Sequence, residues 1–549
     1  MADEQRYLMA LPRGGGRVFL AWRLLEDDPP DLGFHVERRP PGGQWERVSE
    51  TPVIESTNFV DDAPSGGTVE YRVVALGNGP RPSRPVEVDA GAPPSMKVVD
   101  APLAAPARDT HHLAAGALLN DGRMGFVYAC RQDGEHKLDA YGPDGTHLWR
   151  RPLGYPTTLR IGHSYGPYLA WDINHDGRTE VVCRLSRGDW SREIEEAARG
   201  SGENFSALPD EGDRLCALDG RTGEVVWEVP YPGRTFEAHM TLGYLRGRNE
   251  CPALVVHDGR PYGTTRLYAI DGHDGSTLWR LSQDRPTGHN LDIGDIDRDG
   301  VQEVIAGGIC YHGDGTVKWE AEPFGHTDIS KPCNIDPSRP GLEVYYAVET
   351  GDFNPGVYLV DCDGQTIFKE PFRHAHFGWI ARHTDEVPGL QPHTAEDARA
   401  EYGGKDAGMR EKEHNPIFLP DGTHWLDLTE WQRKNFVPVQ WDAGPRTVFI
   451  VRKENRIVRL LDDDGTEDIC DLPSGAHFRR NLLCADLVGD YRENIATLDR
   501  ERDRLIVLAN PEPAGRRGYS PCTDFDYRHD RSQHGSGYYI YVAPPLTYV

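Results

Sequence analysis

One cassette recurs along the chain: an apolar strand, a turn ending in glycine, then a bulky residue four positions on. Leu138–Gly145 leads to Trp149, Leu215–Gly223 to Trp227, and Leu267–Gly275 to Trp279. Gly315 leads in the same way to Trp319, Gly364 to Phe368 and Gly465 to Ile469. A glycine turn between two strands marks a hairpin, because glycine accepts the positive φ angle such turns need. The constant offset places each bulky residue at one position of the return strand. From Trp227 the successive spacings are 52, 40 and 49 residues, close to the ~40–50 of a four-stranded propeller blade. The expected fold is therefore all-β: an eight-bladed β-propeller over residues 96–549. Unrelated hairpins in a sandwich are the alternative.

The first 92 residues do not carry the cassette. Val18–Trp22, Gly33–Glu37 and Val69–Val74 are short alternating or apolar runs between turn residues, as in a small fibronectin-III-like β-sandwich. Gly91–Pro94 follows as a linker. Sixty Gly and 42 Pro among 549 residues fit many short strands and tight turns rather than helical bundles. A net charge of −27 repels phosphate, which argues against nucleic acid or an anionic membrane as partner. No apolar run reaches the ~20 residues of a membrane span. The start, Met1–Tyr7, is charged where a signal peptide is apolar, so a cytoplasmic protein is expected, with a secreted mature form as the alternative. The ten cysteines stand singly, with no Cys-x-x-Cys pair, and read as buried free thiols. Oligomeric state is not encoded in any of these features.

Two loops have the chemistry of a cation site. Asp172, Asn174, Asp176 and Glu180 fall at positions 1, 3, 5 and 9, with Gly177 at position 6 and the Arg178 carbonyl at position 7. Asp295, Asp297, Asp299 and Glu303 repeat the layout around Gly300 and the Val301 carbonyl. Oxygen donors without His or Cys suit Ca2+. A strand follows each loop, unlike the helix of an EF-hand. Asn334, Asp336 and Glu343 form a degenerate copy, and Asp486, Asp490 and Glu493 another at altered spacing.

The residues then resemble polysaccharide lyase family 11, the rhamnogalacturonan lyases. Val18–Pro29 with Ser56–Asp61 resembles the family's amino-terminal module, and Gly288–Asp297 its central metal-loop motif. Gly325–Asp328, Asp336–Val344, Asp486–Glu493, Tyr527–Asp530 and His534–Tyr538 continue the match in order, with Tyr491 where the family has Trp. The resemblance implies an eight-bladed Ca2+-binding propeller. It also implies β-elimination at rhamnose-α-1,4-galacturonate linkages of pectic rhamnogalacturonan I. The stretch Ala117–Gly125 and residues 374–436 depart from the family pattern.

Such a lyase removes the uronate C5 proton, so it needs a cation for the carboxylate and a base for the proton. Candidate catalytic residues are His289 and Asn290, just before a metal loop; His326, before the next; His374 and His376, on one strand face; and His534, in the Gly-rich closing segment. Candidate substrate contacts are Arg260 and Tyr262, Trp379 and Arg382, and Tyr538. Inter-blade packing or surface scaffolding is the competing account of each. Residues 383–436 lack a strand period and read as a lid that closes one end of the cleft, giving an exo-acting enzyme. A rhamnosyl-glucuronate substrate, or a calcium-dependent glycan-binding propeller without catalysis, are the alternatives.

Overall fold

The structure, a computed structural model, describes residues 6–62, 67–77, 79–106, 113–156, 168–187, 212–233, 239–259, 264–288, 290–323, 325–349, 354–372, 374–396, 414–463, 465–474, 482–534 and 542. Their regular secondary structure is almost entirely strand. Met9–Gly14, Arg17–Ala21 and Asn58–Asp62 form one antiparallel sheet, and Phe34–Arg39 with Thr68–Ala75 centres a second. Alternate residues of both, among them Val18, Leu20, Phe34, Val36, Tyr71 and Val73, meet in one core beneath Trp22. This is the period-2 burial of paired sheets.

Eight four-stranded antiparallel sheets follow among the described residues. Their first strands are Ala114–Gly116, Tyr168–Trp171, Met240–Gly243, Leu291–Gly294, Thr327–Cys333, Ala375–Ala381, Phe436–Val439 and Leu483–Ala485. The eighth sheet takes its fourth strand, Lys97–Pro102, from the segment that precedes the first sheet. Buried clusters join each sheet to the next. Leu483, Ala496 and Leu505 of the eighth sheet share one with Leu113, Phe126 and Tyr128 of the first.

The cassette explains how neighbouring sheets lock. Each tryptophan indole donates to a turn carbonyl of the following sheet: Trp149 to Gly220 at 2.8 Å, Trp227 to Gly272, Trp279 to Gly313 and Trp319 to Cys362, each at 2.9 Å. The turn glycine of that following sheet lies against the same indole, so Gly223 covers Trp149, Gly275 covers Trp227, Gly315 covers Trp279 and Gly364 covers Trp319. These glycines have φ between 70° and 84°. Glycine is thus required twice, for the turn and for the closeness of the ring. Gly145 of the first sheet instead meets Ala101 of the closing strand. Gly422, in the turn between the third and fourth strands of the sixth sheet, covers Phe368.

Residues 383–436 are not a lid over their described part. Gln391–Glu396, Pro416–Phe418 and His424–Asp427 are the second, third and fourth strands of the sixth sheet. Their alternation is masked because the inner strand is buried on both faces; Gln391, His393 and Thr394 are fully covered. Residues 397–413 lie outside the described residues. All ten cysteines are free thiols; seven are buried as expected, while Cys251, Cys470 and Cys522 are partly exposed. No helix among the described residues is long and apolar enough to cross a membrane.

Candidate active site and cation loops

Three histidines and two carboxylates converge where the first strands of the fifth and sixth sheets begin. Glu349 directly follows the strand Glu343–Val348, and its N–H donates to the His326 carbonyl at 2.7 Å, which fixes it opposite His326. The register slips between Thr327 and Ile329, and again between Ala375 and Gly378. Asp328 and His376 occupy these two irregularities, which turn both side chains toward one point; bulges re-aim side chains in this way. His374 Nε2 lies 3.0 Å from Glu349 Oε1, and His376 Nδ1 3.2 Å from the same oxygen. His376 Nδ1 also contacts Asp328 Oδ2 directly. His326 Nε2 stands 3.5 Å from Asp328 Oδ1 and 3.7 Å from Glu349 Oε2, long for hydrogen bonds, so these donors face a common space. The Asn290 amide donates to the Asp328 carbonyl at 3.2 Å from the neighbouring fourth sheet.

The cluster concentrates negative charge away from water. His326 is 0% exposed, Asp328 1% and Glu349 6%, whereas the His376 side chain is 27% exposed and forms the open side. Burial lowers the basicity of His376, but the hydrogen bonds and charges of Asp328 and Glu349 outweigh it and push the imidazole up to about 10. Burial raises the Glu349 carboxyl, yet the two imidazoles beside it hold it below its ordinary value. Two triads of this cluster, Glu349–His374–His376 and His326–Asp328–Glu349, each bring ligand atoms within 4.8 Å of one another. Imidazole and carboxylate donors so placed fit a divalent cation. Asp328 and Glu349 are not among the candidates the sequence offers; the Gly325–Asp328 motif contains the first, while nothing local marks the second.

The remaining candidates separate. His289, Arg260, Tyr262 and Tyr538 lie outside the described residues. Trp379 is a core residue, not a sugar platform: it is 4% exposed, its ring centre lies 4.2 Å from that of His393 at a tilt of 43°, and it donates to His383 Nε2 at 3.3 Å. Arg382 follows the far end of the strand Ala375–Ala381, about 20 Å from His376 at ~3.3 Å per residue. There it pairs with Asp385 at 3.2 Å and lines a cavity of about 440 Å³ with Asp292, Lys331 and His529. His534 is buried, and its Nδ1–H donates to the Leu113 carbonyl at 2.8 Å. Burial brings that imidazole down to about 4, so its role is to hold the closing segment against the first sheet.

The two full acidic loops have one geometry. In the first, Gly177 N–H donates to Asp172 Oδ2, Asp176 N–H to Asn174 Oδ1, Arg178 N–H to Asp176 Oδ1, and Ile173 N–H to Glu180 Oε2, at 2.8–3.1 Å. The second repeats this with Gly300 to Asp295, Asp299 to Asp297, Val301 to Asp299 and Ile296 to Glu303. In both, the other oxygen of the first aspartate, Asp172 Oδ1 and Asp295 Oδ1, is buried without a hydrogen-bond partner. A buried carboxylate oxygen left this way costs free energy unless a cation meets it. Burial raises the carboxyls of Asp172, Asp295 and Glu303, and takes Glu180 up to about 8. The donor sets therefore fit Ca2+. Lys318 Nζ contacts Asp297 and lies 3.0 Å from Glu303, a competing charge with no counterpart at the first loop among the described residues.

The two degenerate loops are built differently. Glu343 keeps the strand-start role, accepting from Ile335 N–H at 2.9 Å, but Asp336 is engaged by Ser338 and by Arg339 at 3.3 Å, with Asn334 outside any convergent group of acids. In the last loop each acid has its own arginine: Asp486 with Arg23 at 2.6 Å, Asp490 with Arg492 at 2.8 Å and Glu493 with Arg531 at 3.0 Å. The strand-start position there belongs to Asn494, whose side chain accepts from Leu487 and Val488 N–H at 2.8 Å. The fixed charge of arginine takes the place a shared ion would fill. The Arg23 contact also ties the amino-terminal sheets to the eighth sheet.

Comparison with known proteins places this architecture. The profile described as "Rhamnogalacturonan lyase family 11, C-terminal domain" matches residues 130–547, and "Rhamnogalacturonan I lyases beta-sheet domain" matches residues 1–90. The chain is 26% identical to rhamnogalacturonan endolyase YesW of Bacillus subtilis, over 96% of this chain and 88% of that protein. It is 27% identical to rhamnogalacturonan exolyase YesX of the same organism, over 63% of this chain and 62% of that protein. The solved structure of a Bacillus licheniformis rhamnogalacturonan lyase superposes with a TM-score of 0.78 at 23% identity, covering 98% of this chain and 95% of that one, which establishes a common fold. The class is that of a polysaccharide lyase, an enzyme that breaks a carbon–oxygen bond. The chain belongs to rhamnogalacturonan lyase family 11.

Proposed function

We propose that the protein cleaves rhamnose-α-1,4-galacturonate linkages of the rhamnogalacturonan I backbone by β-elimination, at the cluster whose exposed member is His376. The observation that carries this reading is the convergence of His326, Asp328, Glu349, His374 and His376 in a chain of this family. The names of the relatives, an endolyase and an exolyase of rhamnogalacturonan, support the substrate. Glu349 with His374 and His376, or with His326 and Asp328, would hold a divalent cation, whose charge would offset the uronate carboxylate and so acidify the C5 proton. Asp328 and Glu349 hold the imidazoles in place, and Asn290 braces the Asp328 backbone from the adjoining sheet.

The eight sheets are read as blades of a closed eight-bladed propeller over residues 96–549, with residues 1–92 a fibronectin-III-like sandwich. The cluster joining eighth and first sheets supports closure. Ca2+ is assigned to the Asp172–Glu180 and Asp295–Glu303 loops as a structural cofactor, on the partnerless Asp172 and Asp295 oxygens. The exo mode loses its lid argument, because the described part of 383–436 is the sixth sheet. The relatives include both modes.

The full chain incubated with rhamnogalacturonan I should generate the ultraviolet absorbance of a C4–C5 unsaturated uronate. Homogalacturonan should give none. Absorbance from a rhamnosyl-glucuronate glycan alone would move the assignment to that substrate. Early products resolved by size then separate terminal from mid-chain cleavage.

A further inference from the structure

A second histidine–carboxylate group lies at the junction of the fifth and sixth sheets. Glu370 belongs to the strand Thr366–Pro371, the fourth of the fifth sheet. His414 precedes Pro416–Phe418, and His424 opens His424–Asp427, the third and fourth strands of the sixth sheet. Register pairs Phe418 with His424 and Pro416 with Asp427, so His424 and Asp427 come to the same neighbourhood as His414. Glu370 reaches across between them. Its Oε1 is 3.1 Å from His414 Nε2, and its Oε2 2.6 Å from His424 Nε2. The two rings are 4.9 Å apart and tilted, and these ligand atoms of Glu370, His414 and His424 lie within 4.8 Å of one another.

We propose that Glu370, His414 and His424 bind a divalent transition-metal ion, Zn2+ foremost, and that the ion fastens the fifth sheet to the sixth. Two imidazole nitrogens and one carboxylate are the borderline donors that suit such an ion, in contrast to the all-oxygen loops. Asp427 completes the arrangement: its Oδ1 is 3.1 Å from His414 Nδ1. A proton on Nδ1 donated to Asp427 leaves the Nε2 lone pair directed at Glu370, the carboxylate–histidine–metal relay found around bound ions. Side-chain exposure of 13% at His414 and 17% at Glu370 keeps the donors ordered, while 37% at His424 leaves one side for water as the fourth ligand.

The position of the group gives it a purpose. The first four sheets each hand an indole hydrogen bond to the next sheet, from Trp149, Trp227, Trp279 and Trp319. The fifth sheet has Phe368 at that place, which covers Gly422 but has no N–H to donate. Glu370 stands two residues further along the same strand. A metal bridge there replaces, at the first junction that lacks it, the fastening that tryptophan supplies elsewhere.

The test uses the full chain, stripped by chelation and then held in excess Ca2+, which fills the oxygen loops without competing for imidazole. Co2+ is the spectroscopic probe and Zn2+ the competitor. The unmodified protein should bind one more equivalent of Co2+ than either His424→Gln or Glu370→Gln. Zn2+ should raise its Tm by more than it raises the Tm of either variant, since both variants lack the inter-sheet group but keep the His326–His376 cluster. Because the His326–His376 cluster also offers imidazoles, the same titration is run on His376→Gln, which should retain the extra equivalent and the Zn2+ shift. Variants whose Tm in chelator lies within ~2 °C of the parent are folded, and either one suffices. Equal Co2+ equivalents in parent and variants overturn the proposal. So does an undiminished Zn2+ shift in the variants, or loss of the Zn2+ shift in His376→Gln.

Discussion

Replacing Gly275 by alanine tests how the sheets are locked together. Gly275 has φ of 78°, and an added methyl would sit 2.7 Å from Val229 Cγ1 and 3.0 Å from Trp227 Cε3. Two costs follow. Left-handed backbone at a non-glycine residue costs about 1–2 kcal/mol. Forcing a methyl against the buried indole of Trp227, which is tied by its 2.9 Å bond to Gly272, costs about 1–3 kcal/mol more. The expected loss is therefore about 2–5 kcal/mol. Gly134→Ala is the control: its φ is 84°, but nothing lies within 4 Å of the added methyl, so only the backbone cost of about 1–2 kcal/mol applies. Urea unfolding followed by tryptophan fluorescence measures both. The excess of Gly275→Ala over Gly134→Ala should shrink in a Trp227→Ala background, because the clash partner is gone. Equal losses for the two glycines, or an excess that persists without Trp227, would refute the argument that glycine is needed there for the ring as well as the turn.

Chelation followed by Ca2+ addition should raise Tm, and Asp172→Ala should abolish more of that rise than Asp295→Ala, because Lys318 already lies against the second loop; an identical response in both variants would count against this. Lys318→Met should strengthen Ca2+ binding at the second loop about tenfold, a ~1.4 kcal/mol gain read by calorimetric titration. Glu349→Gln and His374→Gln should each lower lyase turnover at least ~100-fold with a much smaller change in Tm, and a parallel collapse of both would mark the cluster as structural. Burial brings the imidazoles of His383 and His393 down to about 3, and those of His529 and His534 down to about 4. The unfolded chain takes up these protons near pH ~6.5 while the folded chain refuses them, so their stability is present above that pH and is lost as pH falls toward 4 and then 3, by up to ~1.4 kcal/mol per pH unit per histidine. A urea midpoint, measured in excess Ca2+, that does not fall between pH 7 and pH 5 would contradict this.

Features encoded within a dozen consecutive residues were legible from the chain alone. The turn glycine and the bulky residue four places on state a hairpin, and their recurrence states a repeated sheet, because both depend on local φ angles and strand period. The Asp172–Glu180 and Asp295–Glu303 loops were legible for the same reason: backbone N–H groups two to five residues away fold each acid inward. The partner of each tryptophan was not local, and only packing showed that the glycine of one cassette is shaped by the indole of the one before it. The candidate site depended on tertiary structure still more. Asp328 and Glu349 join His374 and His376 because two strand irregularities turn side chains that a regular strand would point elsewhere. The same strand carries Trp379 into the core and Arg382 to the opposite end, although both stand close to His376 in sequence. The last acidic loop shows the limit from the other side: Asp486, Asp490 and Glu493 look like a cation site as a string of letters. Arginines from positions 23, 492 and 531 occupy those charges in the folded molecule. Local sequence dictates what a loop can bind, whereas the charge that reaches it first is decided by which distant segments the fold brings alongside.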